Sequence, residues 1–263
     1  MLKRELKINL KSFLIWVSIL LGMYILIFAI YPHLMNENTK ESLNQMMQSM
    51  PQEILSTFNM DIVGIESAYG WFKTEGYTFL TLIGGLYASI LGTTILLKEE
   101  NDKTIEFLAT KPVSRNQIVT AKVLCGVLYI VAFTIIITIG NLIALKVSGD
   151  VDISEFLTIS LLPMLLYGML FFITLFLSTF FKKTRKSMSM GIGILFASYF
   201  LQIIGSMGEN IEFLKKISLF EFVSSRYLLL EGHIHIGYLL IGLGIIVVML
   251  LGTYRRYQQK EFV

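Results

Sequence analysis

The chain has 263 residues, 54% of them hydrophobic and 16% charged, with a formal net charge of +3. Soluble proteins carry about 25% charged residues, and the charges here are confined to a few intervals, which excludes an ordinary soluble fold. The single cysteine, Cys125, excludes a disulfide framework and a cysteine metal site and reads as a small core residue.

Residues 1–12 read as an amphipathic helix, with Leu2, Leu6, Leu10 and Phe13 on one face and Lys3, Arg4, Lys7 and Lys11 on the adjacent one. Such a helix is expected to lie along the inner leaflet, apolar side chains in lipid and basic heads near anionic phosphates. Basic residues before an apolar run also resemble a signal peptide. The run 13–31 is 19 residues long, however, and no small-residue cleavage site follows it, so a retained first span is expected.

About 20 apolar residues at 1.5 Å each cross a hydrocarbon core of about 30 Å. Gly76–Leu97, with 22 residues, and Phe156–Phe181, with 26, contain no Asp, Glu, Lys, Arg or His. Six spans are expected at about 13–31, 76–97, 123–145, 156–181, 187–205 and 236–252, helical because lipid offers backbone groups no other partner. The expected fold is therefore a single all-α polytopic membrane domain over 1–263. Between the first two spans, Leu43, Met46, Met47 and Met50 share a helical face, and after Pro51 a second apolar-faced piece covers Ile54–Met60. Residues 211–230 are too short and too charged to span. Both segments are expected to form short helices capping the spans. Asp150, Asp152 and Glu155 read as a solvated turn, and Pro163 is expected to loosen the fourth span. Ala88 with Gly92, Ser187 with Gly191 and Ser189 with Gly193 have the four-residue spacing that lets helices approach closely.

Lys and Arg fix the orientation. Segments 1–12, 98–122, 182–186 and 253–263 hold sixteen of them, and the three opposite segments hold six. The positive-inside rule puts both termini and the 98–122 loop in the cytoplasm. No expected span carries an ionisable group in its apolar interior, which argues against an ion-coupled carrier. Asn141 and Gln202 are the notable polar residues there, with interhelical hydrogen bonding as their expected role. The sequence contains no His-Glu-x-x-His, no Gly-x-Ser-x-Gly and no phosphate-binding Gly-x-x-x-x-Gly-Lys-Ser/Thr. His33, His233 and His235 fall in loops without a ligand cluster around them. No catalytic, metal or cofactor residue is therefore expected, and any ATP-driven activity needs a second polypeptide.

The loop 98–122 offers that polypeptide a handle. Thr104–Lys111 reads as a short amphipathic helix with Ile105, Leu108 and Ala109 on one face, stopped by Pro112. The loop resembles the one after the second span in ABC-2 type transporter permeases, the membrane subunits of ATP-binding-cassette exporters. The residues that carry the resemblance are Glu99 and Glu100, then Thr104-Ile105-Glu106-Phe107-Leu108, then Pro112-Val113-Ser114-Arg115, and Lys122 entering the third span. The basic N-terminal helix, six spans, short outer helices and the basic tail at Tyr254-Arg255-Arg256-Tyr257 extend the likeness along the chain.

The resemblance implies that two permeases, identical or paralogous, pair with two ATPase subunits in a bacterial plasma membrane. ATP would be bound by the ATPase and not by this chain. The helix around Thr104–Lys111 would be the coupling helix, with Thr104, Ile105, Phe107, Leu108, Ala109 and Pro112 shaping the contact and Glu106, Lys111 and Arg115 orienting it. The N-terminal helix with Lys3, Arg4, Lys7 and Lys11 would lie beside it. An amphipathic or hydrophobic cargo (peptide, drug or lipid) is expected from the apolar spans, and no nucleic-acid partner. The competing readings are a membrane scaffold or sensor without transport and an ion-coupled secondary transporter.

Overall fold

Six helices are long and apolar enough to cross a membrane: Leu2–Tyr31, Ala68–Ile95, Arg115–Val147, Ile153–Ser178, Thr184–Gly205 and Ile236–Gln259, here the first to sixth spans. The structure is a computed structural model that describes residues 1–34, 37–51, 54–55, 67–101, 114–149, 151–232 and 234–260. Every regular element among the described residues is helical, and the protein is an all-α polytopic membrane protein. Both chain ends lie at one end of the bundle, since the start of the third span contacts Glu5 on one side and residues 257–260 on another. We call this end the terminal face and the opposite end the far face.

The first helix runs unbroken over Leu2–Leu34. The expected helix 1–12 is thus the opening turns of the first span rather than an element of its own. Its buried stripe also differs from the leucine face expected from the sequence. Glu5, Asn9, Phe13, Val17, Leu20 and Tyr24 turn inward, while Leu10 and Leu14 are exposed. The third span causes this, because it presents polar partners to Glu5 and Asn9 that lipid lacks. Lys3, Arg4, Lys7 and Lys11 are all exposed.

The second span is the centre of the bundle: 61% of its apolar window is buried, against 11% for the sixth. It starts with Ser67 as N-cap, whose hydroxyl accepts from the Gly70 amide at 2.9 Å. A π-helical turn over Phe72–Gly76 follows, and the α-helix resumes over Tyr77–Ile95. A π turn shifts the backbone ladder by one residue, and Tyr24 of the first span donates to the Gly76 carbonyl at 2.6 Å.

The second and fourth spans meet across a face of small residues. A Cβ on Gly92 would lie 2.2 Å from Thr174 Oγ1 and 2.5 Å from the Phe171 carbonyl oxygen. The Tyr167 ring lies against Gly84 and its hydroxyl donates to the Leu80 carbonyl at 2.7 Å. Gly191 of the fifth span comes close to Thr93 and, beside it, to Thr174 of the fourth. Ala88 with Gly92 and Ser187 with Gly191 therefore lie in helix contacts, whereas Gly193 faces open space.

The fourth span is two helices, Ile153–Leu161 and Pro163–Ser178, divided where Pro163 cannot donate a backbone hydrogen bond. Of the expected solvated turn, Asp150 lies outside the described residues and Asp152 is exposed, but Asp152 and Glu155 both hold defined partners. Asp152 caps the first helix by accepting from the Ser154 and Glu155 amides, and Glu155 accepts from Lys73 at 3.2 Å and Tyr69 at 3.0 Å on the second span. Asn141 is buried with no hydrogen-bond partner for its amide among the described residues. Gln202 does bond between elements, to Glu221.

Glu221 belongs to the far-face cap, a chain of short pieces over Glu209–Ile211, Phe213–Ile217, Glu221–Val223 and Ser225–Glu231. Its buried carboxylate accepts from Gln202 at 2.7 Å and Tyr227 at 2.6 Å and faces Lys215 at 3.7 Å. Burial and this carboxylate raise the Tyr227 hydroxyl well above its ordinary pKa, so Tyr227 stays a donor. Ser198 and Ser218 add a second tie between cap and fifth span, with the Leu219 amide donating to Ser198 at 2.7 Å. Of the segment between the first two spans, the structure describes a helix over Glu37–Ser49, while most of Ile54–Met60 lies outside the described residues.

Candidate coupling site on the terminal face

The expected coupling residues Thr104, Ile105, Glu106, Phe107, Leu108, Ala109, Lys111 and Pro112 lie outside the described residues. The roots of their segment are described on both sides. On the entry side the second span ends at Ile95, and a four-residue helix, Lys98–Asn101, carries Glu99 and Glu100. On the exit side Ser114 caps the third span. It accepts from the Gln117 amide at 3.2 Å while its own amide donates to Gln117 Oε1 at 2.9 Å, a capping box.

Two turns beyond that cap, Lys122 is fully buried. Its ammonium donates to Glu99 Oε2 at 2.6 Å, to the Ile95 carbonyl at 2.6 Å and to Glu5 Oε2 at 3.4 Å. Three donors meet three acceptors, which completes the hydrogen bonding an ammonium needs away from water. The same face of the third span continues with Cys125, which Asn9 approaches at 3.9 Å, and Tyr129, which donates to the Leu6 carbonyl. Two buried carboxylates share one cation, and Glu5 Oε1 has no hydrogen-bond partner among the described residues.

The neighbouring glutamate points elsewhere. Glu100 accepts from Lys260 at 2.7 Å, and Lys260 also donates to the Phe181 carbonyl at the end of the fourth span at 2.9 Å. Arg115 donates to the Gln258 and Lys260 carbonyls, both at 2.7 Å, and to Tyr257 at 3.4 Å. A helix leaves its last carbonyls unpaired and slightly negative, so a guanidinium there satisfies both needs. Gln258 to Asn116 at 2.9 Å and Tyr254 with Thr120 at 2.7 Å close the contact between the third and sixth spans. Arg256 stacks over Phe180 at 5.0 Å.

The two roots of segment 102–113 are therefore fastened to most of the bundle. Glu99 ties one root to the first and third spans, Glu100 ties it to the tail of the sixth, and Arg115 ties the other root to that same tail. Arg115, expected to orient a partner protein, uses its guanidinium within the chain. Lys3, Arg4, Lys7 and Lys11 face outward from the first span, and of the four Arg4 acts on this network through its charge near Glu5. Sequence reasoning missed the Glu5–Lys122–Glu99 cluster. The capping box at Ser114 and Gln117 was the signal for Lys122, because it starts the helix eight residues before Lys122 and puts the lysine inside it.

Six long apolar helices define a multi-pass integral membrane protein. The sequence matches the ABC-2 family transporter protein family over residues 1–262, the whole chain but one residue, and the protein belongs to that family. Its members are membrane permease components, generally non-catalytic, that work with an ATPase subunit. Neither the curated proteins nor the solved structures gave a match.

Proposed function

We propose that this protein is the permease subunit of an ABC exporter, with its terminal face in the cytoplasm and segment 102–113 as the element a separate ATPase grips. The observation that carries this reading is the fastening of both roots of that segment to the first, third and sixth spans through Glu99, Glu100 and Arg115. A push on the segment has a short, hydrogen-bonded route into the bundle. Orientation follows from the sixteen Lys and Arg on the terminal side. ATP is bound by the ATPase, two copies of which pair with two permeases, identical or paralogous, in a bacterial plasma membrane. The cargo is amphipathic or hydrophobic, in keeping with a bundle interior of aromatic and aliphatic side chains.

The test is co-purification with the ATPase, followed by Glu106→Lys combined with Leu108→Asp. Loss of complex formation and of permease-stimulated ATP hydrolysis is expected. If both survive, segment 102–113 is not the coupling element. If the complex forms and hydrolyses ATP yet moves no cargo in vesicles, a scaffold or sensor role replaces the export reading.

A further inference from the structure

Between the third, fourth and sixth spans the bundle encloses a crevice of about 550 Å³. Its sixth-span wall includes Leu239 and Leu243, which are also exposed on the outside of the bundle, so the crevice opens there. Of the described residues that line it, Thr158 alone carries a polar side chain, and that hydroxyl already donates to the Ser154 carbonyl at 2.9 Å. A buried water needs about two to four polar partners, and this lining offers it only the lone pairs of one hydroxyl. An empty space of this size would forfeit the dispersion contacts of every wall. Hydrocarbon is the filling that avoids both costs.

Length and depth identify the hydrocarbon. On the fourth span the lining runs from Thr158 to Phe172, fourteen residues further on, or about 21 Å at the helical rise. That span starts at the far face, so the crevice descends from that side past the middle of a core about 30 Å thick. At about 30 Å³ for a water-sized group, the volume holds on the order of 18 such groups, the size of one acyl chain. Phe222 and Ile234 join the crevice at its mouth to Ser224, Tyr227, His235 and Tyr238. These supply hydroxyl and imidazole groups at the interfacial depth where aromatic residues meet lipid headgroups.

We propose that this crevice binds one acyl chain of a membrane lipid drawn from the leaflet at the far face. The bound chain supports the cap: Phe222, which touches the crevice, follows Glu221, the carboxylate that ties the cap to Gln202 of the fifth span. The proposal needs the membrane placement of the chain and not the export reading.

The test uses the full chain in phosphatidylcholine vesicles doped with a phosphatidylcholine that carries a diazirine at mid-chain. After irradiation, labelled peptides are mapped by mass spectrometry. Labels are expected to concentrate on Gly168–Phe172 and Leu243–Ile246, above the exposed third-span face at Ile135 and Ile139. Leu243→Trp, which fills the crevice from its exposed wall, is expected to cut crevice labelling about tenfold, equivalent to losing the contacts of a few methylene groups. Labelling of the exposed face stays constant. Leu243→Ala keeps the crevice open and should retain the labels, and Met164→Phe serves as a second filling variant if Leu243→Trp elutes as aggregate. Equal labelling of crevice and exposed faces overturns the proposal, as does crevice labelling that both filling variants leave unchanged. A disulfide-linked dimer through Leu243→Cys, with the crevice unlabelled, would put a second copy of the chain there and also overturn it. No ATPase or cargo enters the assay, so a negative result here leaves the export reading untouched.

Discussion

Lys122 and Arg115 sit seven residues apart on the third span and hold different partners, so their substitutions should fail differently. Lys122→Met removes the single cation from between two buried carboxylates. Breaking a buried pair from one side costs about 3–5 kcal/mol, because the remaining charge has no compensation. A large fall in thermal stability in detergent is expected, with partial recovery when Glu5→Gln and Glu99→Gln are added. If the triple variant is no more stable than Lys122→Met, the charge argument is wrong. Arg115→Ala is expected to act locally, since its described bonds reach residues 257–260. Hydrogen exchange at 254–260 should quicken while the core of the second span stays protected. Arg115→Lys should restore part of this protection, since all three bonds come from the single nitrogen Nη1 and an ammonium also carries three donors.

Helix contacts set the next scale, and Gly92 marks the tightest approach between the two central spans. Gly92→Ala would bring a methyl within 2.5 Å of a backbone carbonyl that cannot rotate away. Overpacking of this kind costs about 1–3 kcal/mol, and a lowered melting temperature is expected. Gly193→Ala, with open space at the corresponding point, should be neutral and provides the control. The sequence held the spans plainly, because long runs without charge have few alternatives to crossing a membrane. It also held the small-residue pairs, but not which of them meet a partner, since Gly191 and Gly193 look alike until the second span is docked. The buried stripe of the first helix was hidden for a related reason. Its leucines form the stronger apolar pattern, yet lipid accepts them as readily as protein does, while Glu5 and Asn9 are acceptable only against the third span. In a membrane, polar residues rather than leucines mark the inward face. The same logic explains Glu155, whose lysine partner no local pattern reveals, whereas the capping role of Asp152 lay in the local Asp-x-x-Glu spacing.

Across the whole molecule, the termini, the roots of segment 102–113 and the start of the third span form one polar layer, while the far face carries a second layer around Glu221. Between the two layers the connections are helices, apolar contacts and a few tyrosine hydrogen bonds to backbone carbonyls. Of these helices, the first has the simplest mechanics. At 33 residues without a break it is about 50 Å long, well beyond the hydrocarbon thickness, so it must tilt or project. Near one end Glu5 meets Lys122, and some thirty ångströms along it Tyr24 holds the carbonyl of the π turn at Gly76. A stiff rod pinned at two such points behaves as a lever: a small swing at Glu5 must reappear where the second span changes from π to α geometry. Ser12→Pro would put a joint in the lever between its two pins, at an exposed position where a proline costs one helical hydrogen bond. The expected outcome is a protein that still binds its ATPase and supports hydrolysis but moves cargo poorly. If transport per ATP is unchanged, the first span is only a wall of the bundle.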